Sequence, residues 1–347
     1  LRVLAPDAVG LRVGLRFTAL PRELELRVAQ PAPDGAMQVV ALTTGAQLLK
    51  LARGIFPIMH WTASTEGTEQ LIELWSPREP GPASLRFVVD DVSHLLQRPI
   101  DPVRSKALTF TCHVDVMCIT DPNVTQDSKA VARMVFSNAG KSFVCSGSLL
   151  ADRPHSLTPL FATANHCISD QDTASSLETW WFYTATACNS GVAQTPRRLS
   201  LGATLLMANF DTDFTLLQLN ESAPGGAFFL GWDGNPLAGG QSVFGIHHPD
   251  GSYQRYSSGT YLGLSRLTNS ATHVTFAELF REVQYTQGII EGGSSGSPLL
   301  ITPGTFEGTL FGSPSTNSCT GGVFASYSDF TVAYPLVKTF LDGPAAG

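Results

Sequence analysis

Ser295 sits in Glu291-Gly292-Gly293-Ser294-Ser295-Gly296-Ser297-Pro298, a glycine-rich turn in which backbone N–H groups can converge on an anion. A serine hydroxyl is a poor nucleophile at neutral pH, so it needs a base within hydrogen-bond reach, and that base needs an orienting acceptor. Upstream, Phe161-Ala162-Thr163-Ala164-Asn165-His166-Cys167 supplies a histidine and Asp211-Thr212-Asp213-Phe214-Thr215-Leu216-Leu217 an aspartate, placing His166, Asp213 and Ser295 47 and then 82 residues apart. Asp213 rather than Asp211 is expected to hold the imidazole, because it directly precedes an alternating strand that could carry the carboxylate inward. The N–H groups of Gly293 and Ser295 would face the oxyanion of a tetrahedral intermediate, where losing one donor typically costs about 10²–10³ in turnover. A lone turn of this kind is often only a turn, and a lone histidine more often satisfies a core hydrogen bond. Three such motifs in a consistent order carry the acyl-transfer reading.

The elements that must position these groups read as short strands. Two-residue alternation in Leu11-Arg12-Val13-Gly14-Leu15-Arg16-Phe17 and Leu24-Glu25-Leu26-Arg27-Val28 marks half-buried strands, continued by Leu71-Ile72-Glu73-Leu74-Trp75 and Leu85-Arg86-Phe87-Val88-Val89. Proline and glycine punctuate them, as a small antiparallel sandwich requires. Gln97-Arg98-Pro99-Ile100-Asp101-Pro102-Val103-Arg104-Ser105-Lys106 has two prolines, basic residues and little core pattern, and reads as an exposed linker. From residue 107 the chain is strand and turn until Tyr334-Pro335-Leu336-Val337-Lys338-Thr339-Phe340-Leu341. There Leu336 with Phe340 and Val337 with Leu341 predict a helix, with Pro335 in its first turn and Gly343 to stop it. A β-rich domain of this size closed by one helix fits two packed barrels, about 107–222 and 223–333, better than any α/β alternation.

Composition bounds the rest. With 43% hydrophobic and 15% charged residues the chain is globular, and a net charge of −7 without a basic cluster disfavours nucleic-acid or anionic-membrane partners. No run approaches the roughly 18 apolar residues of a membrane span. The six cysteines, Cys112, Cys118, Cys145, Cys167, Cys188 and Cys319, contain no CxxC. An even set of this kind favours disulfides made in an oxidising compartment, with about 15 possible pairings, over a zinc site or free thiols. His247 and His248 lack a third ligand at suitable spacing, so the expectation is no metal and no cofactor, with a turn histidine lining the cleft wall. No carboxylate-rich loop calls for calcium, and Asn123-Val124-Thr125 and Asn220-Glu221-Ser222 are sequons that a bacterial source would leave unused.

The order His, Asp, Ser is that of chymotrypsin. The chain resembles the trypsin-like serine peptidases, and among them the bacterial lysyl endopeptidase group. Residues 107–347 carry the likeness in Cys112-His113-Val114-Asp115-Val116-Met117-Cys118, Cys145-Ser146-Gly147-Ser148-Leu149, Thr163-Ala164-Asn165-His166-Cys167, Ile246-His247-His248-Pro249 and the Ser295 turn. Trp61-Thr62-Ala63-Ser64-Thr65-Glu66-Gly67 and Val92-Ser93-His94-Leu95 look like precursor segments of that group. The resemblance implies an all-β fold: a double β-barrel with a C-terminal helix, preceded by a β-sandwich pro-domain over residues 1–106. It implies disulfides Cys112 to Cys319, Cys118 to Cys188 and Cys145 to Cys167, the last bracing the His166 loop.

It also implies a primary pocket lined by Thr309-Leu310-Phe311-Gly312-Ser313, with Asp329 as the acid that selects a basic side chain. Phe311 stands where lysine-specific members can carry a histidine, and the Tyr-Gly expected after Ser328-Asp329 is absent, so a turn role for Asp329 competes with the pocket role. Cleavage between Lys106 and Ala107 would leave Cys112 sixth in the mature chain, as in the family. The expectation is thus a secreted, extracellular or periplasmic, monomeric endopeptidase precursor that cuts polypeptide substrates after lysine, with the pro-domain as intramolecular partner. A peptidase with arginine, glutamate or small-residue preference is the alternative, and an inactive protease-like binding protein or a retained N-terminal binding module are the readings from other classes.

Overall fold

A computed structural model describes residues 1–95 and 111–343, except 33, 82, 270, 271, 314–317 and 321. The linker and the expected processing site at Lys106 and Ala107 lie outside the described residues. The first 95 residues form two antiparallel sheets. One runs Arg2–Leu4, Glu69–Trp75, Glu25–Pro31, Met37–Thr44; the other centres on Gly10–Ala19, which pairs with Ile58–Trp61, Thr65–Glu66 and Arg86–Leu95. Val13, Leu15, Phe17 and Ile58 from one sheet pack with Leu26, Val28 and Ile72 from the other, so the alternation in the sequence does point one face of each strand into a sandwich core.

Gly10–Ala19 departs from the half-buried pattern. Its first six residues are buried on both faces, and Arg12 is 0% exposed. The second face is covered by the following domain: Arg12 donates to the carbonyl of Ser176 (2.6 Å) and to Ser137 Oγ (3.2 Å). Nearby, the buried Glu178 carboxylate accepts from both the N–H and the hydroxyl of Ser64 (3.0 and 2.6 Å) and pairs with Arg198, which also donates to the Ser64 carbonyl. Burial opposes ionisation of Glu178, but Arg198 and Arg12 outweigh it and lower its pKa. The sequence rule failed at Arg12 because it assumes that the polar face meets water.

Residues 131–219 form a seven-stranded sheet in the order Arg197–Leu199, Glu178–Trp181, Val131–Asn138, Lys141–Leu150, Leu160–Ala164, Phe214–Leu219, Ala203–Asn209, wrapped around Met134, Phe136, Leu149, Phe161, Trp181 and Leu217. In the second sheet, Thr305–Gly312, Pro298–Ile301, Ser242–His247, Arg255–Thr268, Thr275–Gln287 and Val323–Ser328 pair in turn, and the last returns to the first, closing a six-stranded barrel. Val114–Asp115, ahead of the first sheet in the chain, pairs into the second at Arg255 and Tyr256. The disulfides are Cys112–Cys319, Cys118–Cys188 and Cys145–Cys167, with Cα separations of 5.6, 4.6 and 6.5 Å. The two sheets share an apolar core in which Val131, Leu150, Ala162 and Leu216 meet Phe244, Ile246, Leu300 and Phe306.

The final helix, Phe330–Leu341, presses Phe330, Ala333, Val337 and Leu341 into that core. It begins a turn earlier than the periodicity suggested, so Pro335 lies inside it, and Leu336 and Phe340 are 46% and 37% exposed. The reason is Asp329, which caps the helix by accepting from Thr331 N (3.0 Å) and also accepts from Arg281 (Nε at 2.9 Å). Asp329 is 6% exposed and Arg281 also holds Glu307, so the two acids between Ser295 and Leu341 both belong to one buried guanidinium. Burial pushes the Glu307 carboxyl up to about 7 despite Arg281. Of the two roles left open for Asp329, these contacts favour the turn role over the pocket role, since a carboxylate that selects substrate lysine has to be free to face the cleft. Asp329→Asn should therefore lower stability by about 1–3 kcal/mol, read by urea unfolding, while the ratio of lysine, arginine and glutamate cleavage stays unchanged. Selective loss of lysine cleavage at full stability would restore the pocket role.

Candidate active site

His166 follows the strand Leu160–Ala164, whose last residue pairs with Phe214, the first residue of Phe214–Leu219. That pairing sets the two motifs side by side. The chain turns back at once, with Cys167 N–H donating to the Ala164 carbonyl (3.2 Å), and Asn165 N–H donates to the Asp213 carbonyl (3.1 Å). Asp213 is buried and takes a left-handed backbone, φ +47°, which is costly for a residue with a side chain. Its carboxylate accepts twice from one residue: Oδ1 from His166 N–H and Oδ2 from Nδ1, each at 2.8 Å. Donation from Nδ1 leaves Nε2 as the acceptor on the other edge of the ring. Burial disfavours the imidazolium, but the charge and hydrogen bond of Asp213 outweigh it, and the pKa of His166 is raised above 6.5. The competitor Asp211 is exposed and accepts from Ala277 N–H at 3.3 Å, away from the imidazole.

The turn around Ser295 is brought to the same place by contacts between the two sheets. Ser146, on Lys141–Leu150, donates its N–H to the Ser295 carbonyl (2.8 Å) and its hydroxyl to the Gly293 carbonyl (2.9 Å). Gly296 lies so close to the histidine strand that a Cβ there would fall 2.2 Å from Thr163 Oγ1 and 2.9 Å from Ala164 N. Gly293 takes φ +87°, and a Cβ on it would meet the His248 carbonyl at 2.9 Å, so both glycines are demanded by conformation and by space. Phe311 sets its ring edge-on to His166, centroids 5.3 Å apart, and packs on Phe276 and Phe280. Beside it Gly312, paired with Ser326, has open space where a Cβ would stand.

The amides of the turn are aimed by their own carbonyls. In a trans peptide C=O and the next N–H point in opposite directions. Gly292 O is tied inward by Asp250 N–H (2.6 Å) and Ser294 O by Ser297 N–H (3.1 Å), so the N–H groups of Gly293 and Ser295 point the other way. Neither finds an acceptor among the described residues, whereas Ser294, Gly296 and Ser297 each donate within the turn or to its neighbours. Two adjacent unpaired donors of this kind can receive an anion.

Some residues that matter carried little signal. Ser146 belonged to a quoted motif but had no assigned role, since only the tertiary fold sets it under the turn. His247 and His248 are not on the cleft wall as expected. Both are buried, His247 bonding Ser294 Oγ (2.8 Å) and Ser257 Oγ (3.1 Å), His248 stacking on Tyr183 and contacting the Ser252 carbonyl.

A family model described as lysyl endopeptidase, N-terminal domain, matches residues 1–96, and one described as lysyl endopeptidase, C-terminal domain, matches residues 109–328. A lysyl endopeptidase of Pseudomonas aeruginosa is 32% identical over 296 residues, 81% of this chain and 63% of its own length. A protein of Plasmopara viticola named secreted RxLR effector protein 73 is 29% identical over 184 residues, 51% of this chain and 43% of its own. This chain therefore spans less than two thirds of the length of either curated relative. Among solved structures, the active form of the Rv3671c protease from M. tuberculosis aligns at TM-score 0.47 and 16% identity, over 73% of this chain and 96% of that one. With models of both domains matched along most of its length, the chain belongs to the lysyl endopeptidase family.

Proposed function

We propose that this chain is a secreted serine endopeptidase in precursor form, cutting polypeptides on the carboxyl side of lysine. The observation that carries the catalytic part is the Asp213–His166 pair, bonded at both main chain and ring, with the Ser295 turn held against the same strand. In this reading Ser295 Oγ attacks the scissile carbonyl and gives its proton to His166 Nε2. Asp213 holds the tautomer and balances the imidazolium, and the carbonyl oxygen moves into the unpaired N–H groups of Gly293 and Ser295. The imidazolium then protonates the leaving amine, and water, deprotonated in turn by His166, releases the acyl group.

The lysine preference rests on family membership and on the name of the Pseudomonas aeruginosa relative. Phe311 and Gly312 would line the pocket, one as its apolar wall and the other as the gap that admits a side chain. Secretion fits the three disulfides, which persist in an oxidising compartment. The N-terminal sandwich acts as the chain's own partner, docked through Arg12 and Ser64, and is released by cleavage after Lys106.

A cavity of about 850 Å³ lies between the two domains, where His94 and Leu95 face Lys141, Phe143 and Gly293. In this reading the sandwich covers the Gly293 side of the cleft. Its removal would open that side to long substrates.

Ser295→Ala should lower kcat on a lysyl anilide by on the order of 10⁵–10⁶, and N-terminal sequencing should find that chain uncut after incubation. Full activity in the variant would end the reading. Because only neutral His166 accepts the serine proton, kcat/KM should fall as pH drops through a value above the ordinary histidine value of about 6.5. Asp213→Asn should cost about 10⁴ in kcat and carry any residual acid limb to lower pH. An inflection unmoved by that substitution would take His166 out of the role.

A further inference from the structure

A turn that keeps two amides unpaired has to be held from behind. Ser294, between the two donors, is buried, and its hydroxyl meets His247 on a strand of the second barrel. Ser294 Oγ accepts from Glu291 N–H (3.2 Å) and contacts His247 Nδ1 (2.8 Å), and the far ring nitrogen, Nε2, contacts Ser257 Oγ (3.1 Å), which in turn donates to the Ile289 carbonyl (3.4 Å). Ser257 spends its one proton on the Ile289 carbonyl, so its oxygen accepts from Nε2, which carries the ring hydrogen, and Nδ1 is left to accept the proton of Ser294. A neutral imidazole thus ties the chain at Ile289 to the chain at Glu291 and Ser294. Burial, with His113, His248 and Arg255 nearby, keeps His247 uncharged and so preserves the one acceptor that Ser294 needs.

Building on the proposed peptidase, we propose that His247 and Ser294 are positioning residues for the oxyanion site: they fix the turn so that the Gly293 and Ser295 amides stay aimed at the cleft. Every contact in this chain of hydrogen bonds is made in the unbroken polypeptide. The site is therefore built before any cut between the domains, and cleavage opens the cleft without assembling the chemistry.

The test compares wild type with Ser294→Ala, His247→Gln and Ser295→Ala, using a lysyl anilide, a peptide aldehyde that forms a tetrahedral adduct, and an unreactive peptide of the same sequence. Ser294→Ala removes one hydroxyl without adding volume, so it carries the test if His247→Gln does not fold. The expected result is a fall in kcat of about 10–100-fold at nearly constant KM, a matching loss of aldehyde affinity and unchanged binding of the unreactive peptide. Unchanged kcat and aldehyde affinity, or a loss of melting temperature with neither changed, would overturn the positioning role. If Ser295→Ala stays active, the peptidase reading itself is wrong; if that variant is dead while Ser294→Ala is fully active, only this inference falls. A chain kept whole by Lys106→Gln, its length checked by intact mass, should match the processed enzyme within about 3-fold in kcat at saturating anilide, since a docked domain that competes with substrate raises KM alone. A kcat deficit beyond about 100-fold in the whole chain would show that cutting builds the site.

Discussion

The carboxylate of Asp213 bonds both the main chain and the ring of His166, and the proposed active site is organised around that double contact. A carboxylate bound to the ring alone would let the imidazole swing with its loop. Binding the N–H of the same residue removes that freedom. The geometry requires Asp213 to turn into the left-handed region just before its strand begins, at a conformational cost that the surrounding pairing must cover. Pairing of Ala164 with Phe214 and the Cys145–Cys167 disulfide supply the frame on either side.

Across the cleft the same problem is solved without a charge. The Ser295 turn is held by Ser146 from the first sheet and by Ser294 and His247 from the second, through neutral hydrogen bonds in a buried setting. Such bonds are costly to leave unmade, so a fully satisfied set specifies one conformation. Among the described residues the amides of Gly293 and Ser295 have no partner, while the carbonyls of the same peptide units are committed elsewhere. Below both motifs lies the apolar core common to the two sheets, completed by Phe330, Ala333, Val337 and Leu341 of the last helix. The arrangement of two distant segments is thus set by packing, and polar contacts refine it.

The N-terminal sandwich is joined to this body by buried ionic groups as well as apolar ones. Arg12 and Ser64 reach across to Ser176 and Glu178, and Glu178 is balanced by Arg198. An ionic interface of this kind gains little net energy over an apolar one, but it fixes relative orientation, since a displaced guanidinium would be left buried and unpaired. The sandwich is held where Leu95 lines the cavity beside Gly293.

Much of this was legible in the sequence. The order of His166, Asp213 and Ser295, the flanking glycines and the alternating strands each follow from local rules, because side-chain chemistry and a two-residue period are properties of short segments. An even cysteine count set a disulfide framework, and the family likeness chose its pairing. Asp329, Arg12, Pro335 and the two buried histidines went the other way. Asp329 reads as a pocket acid until Arg281, 48 residues earlier, is seen to claim it; Arg12 reads as a solvent-facing residue until a second domain covers its strand. The residue types and local periodicity fixed which groups could react, whereas burial and long-range partners decided which were free to do so, because the energy of a charged or polar group depends on what surrounds it in space and only weakly on its neighbours along the chain.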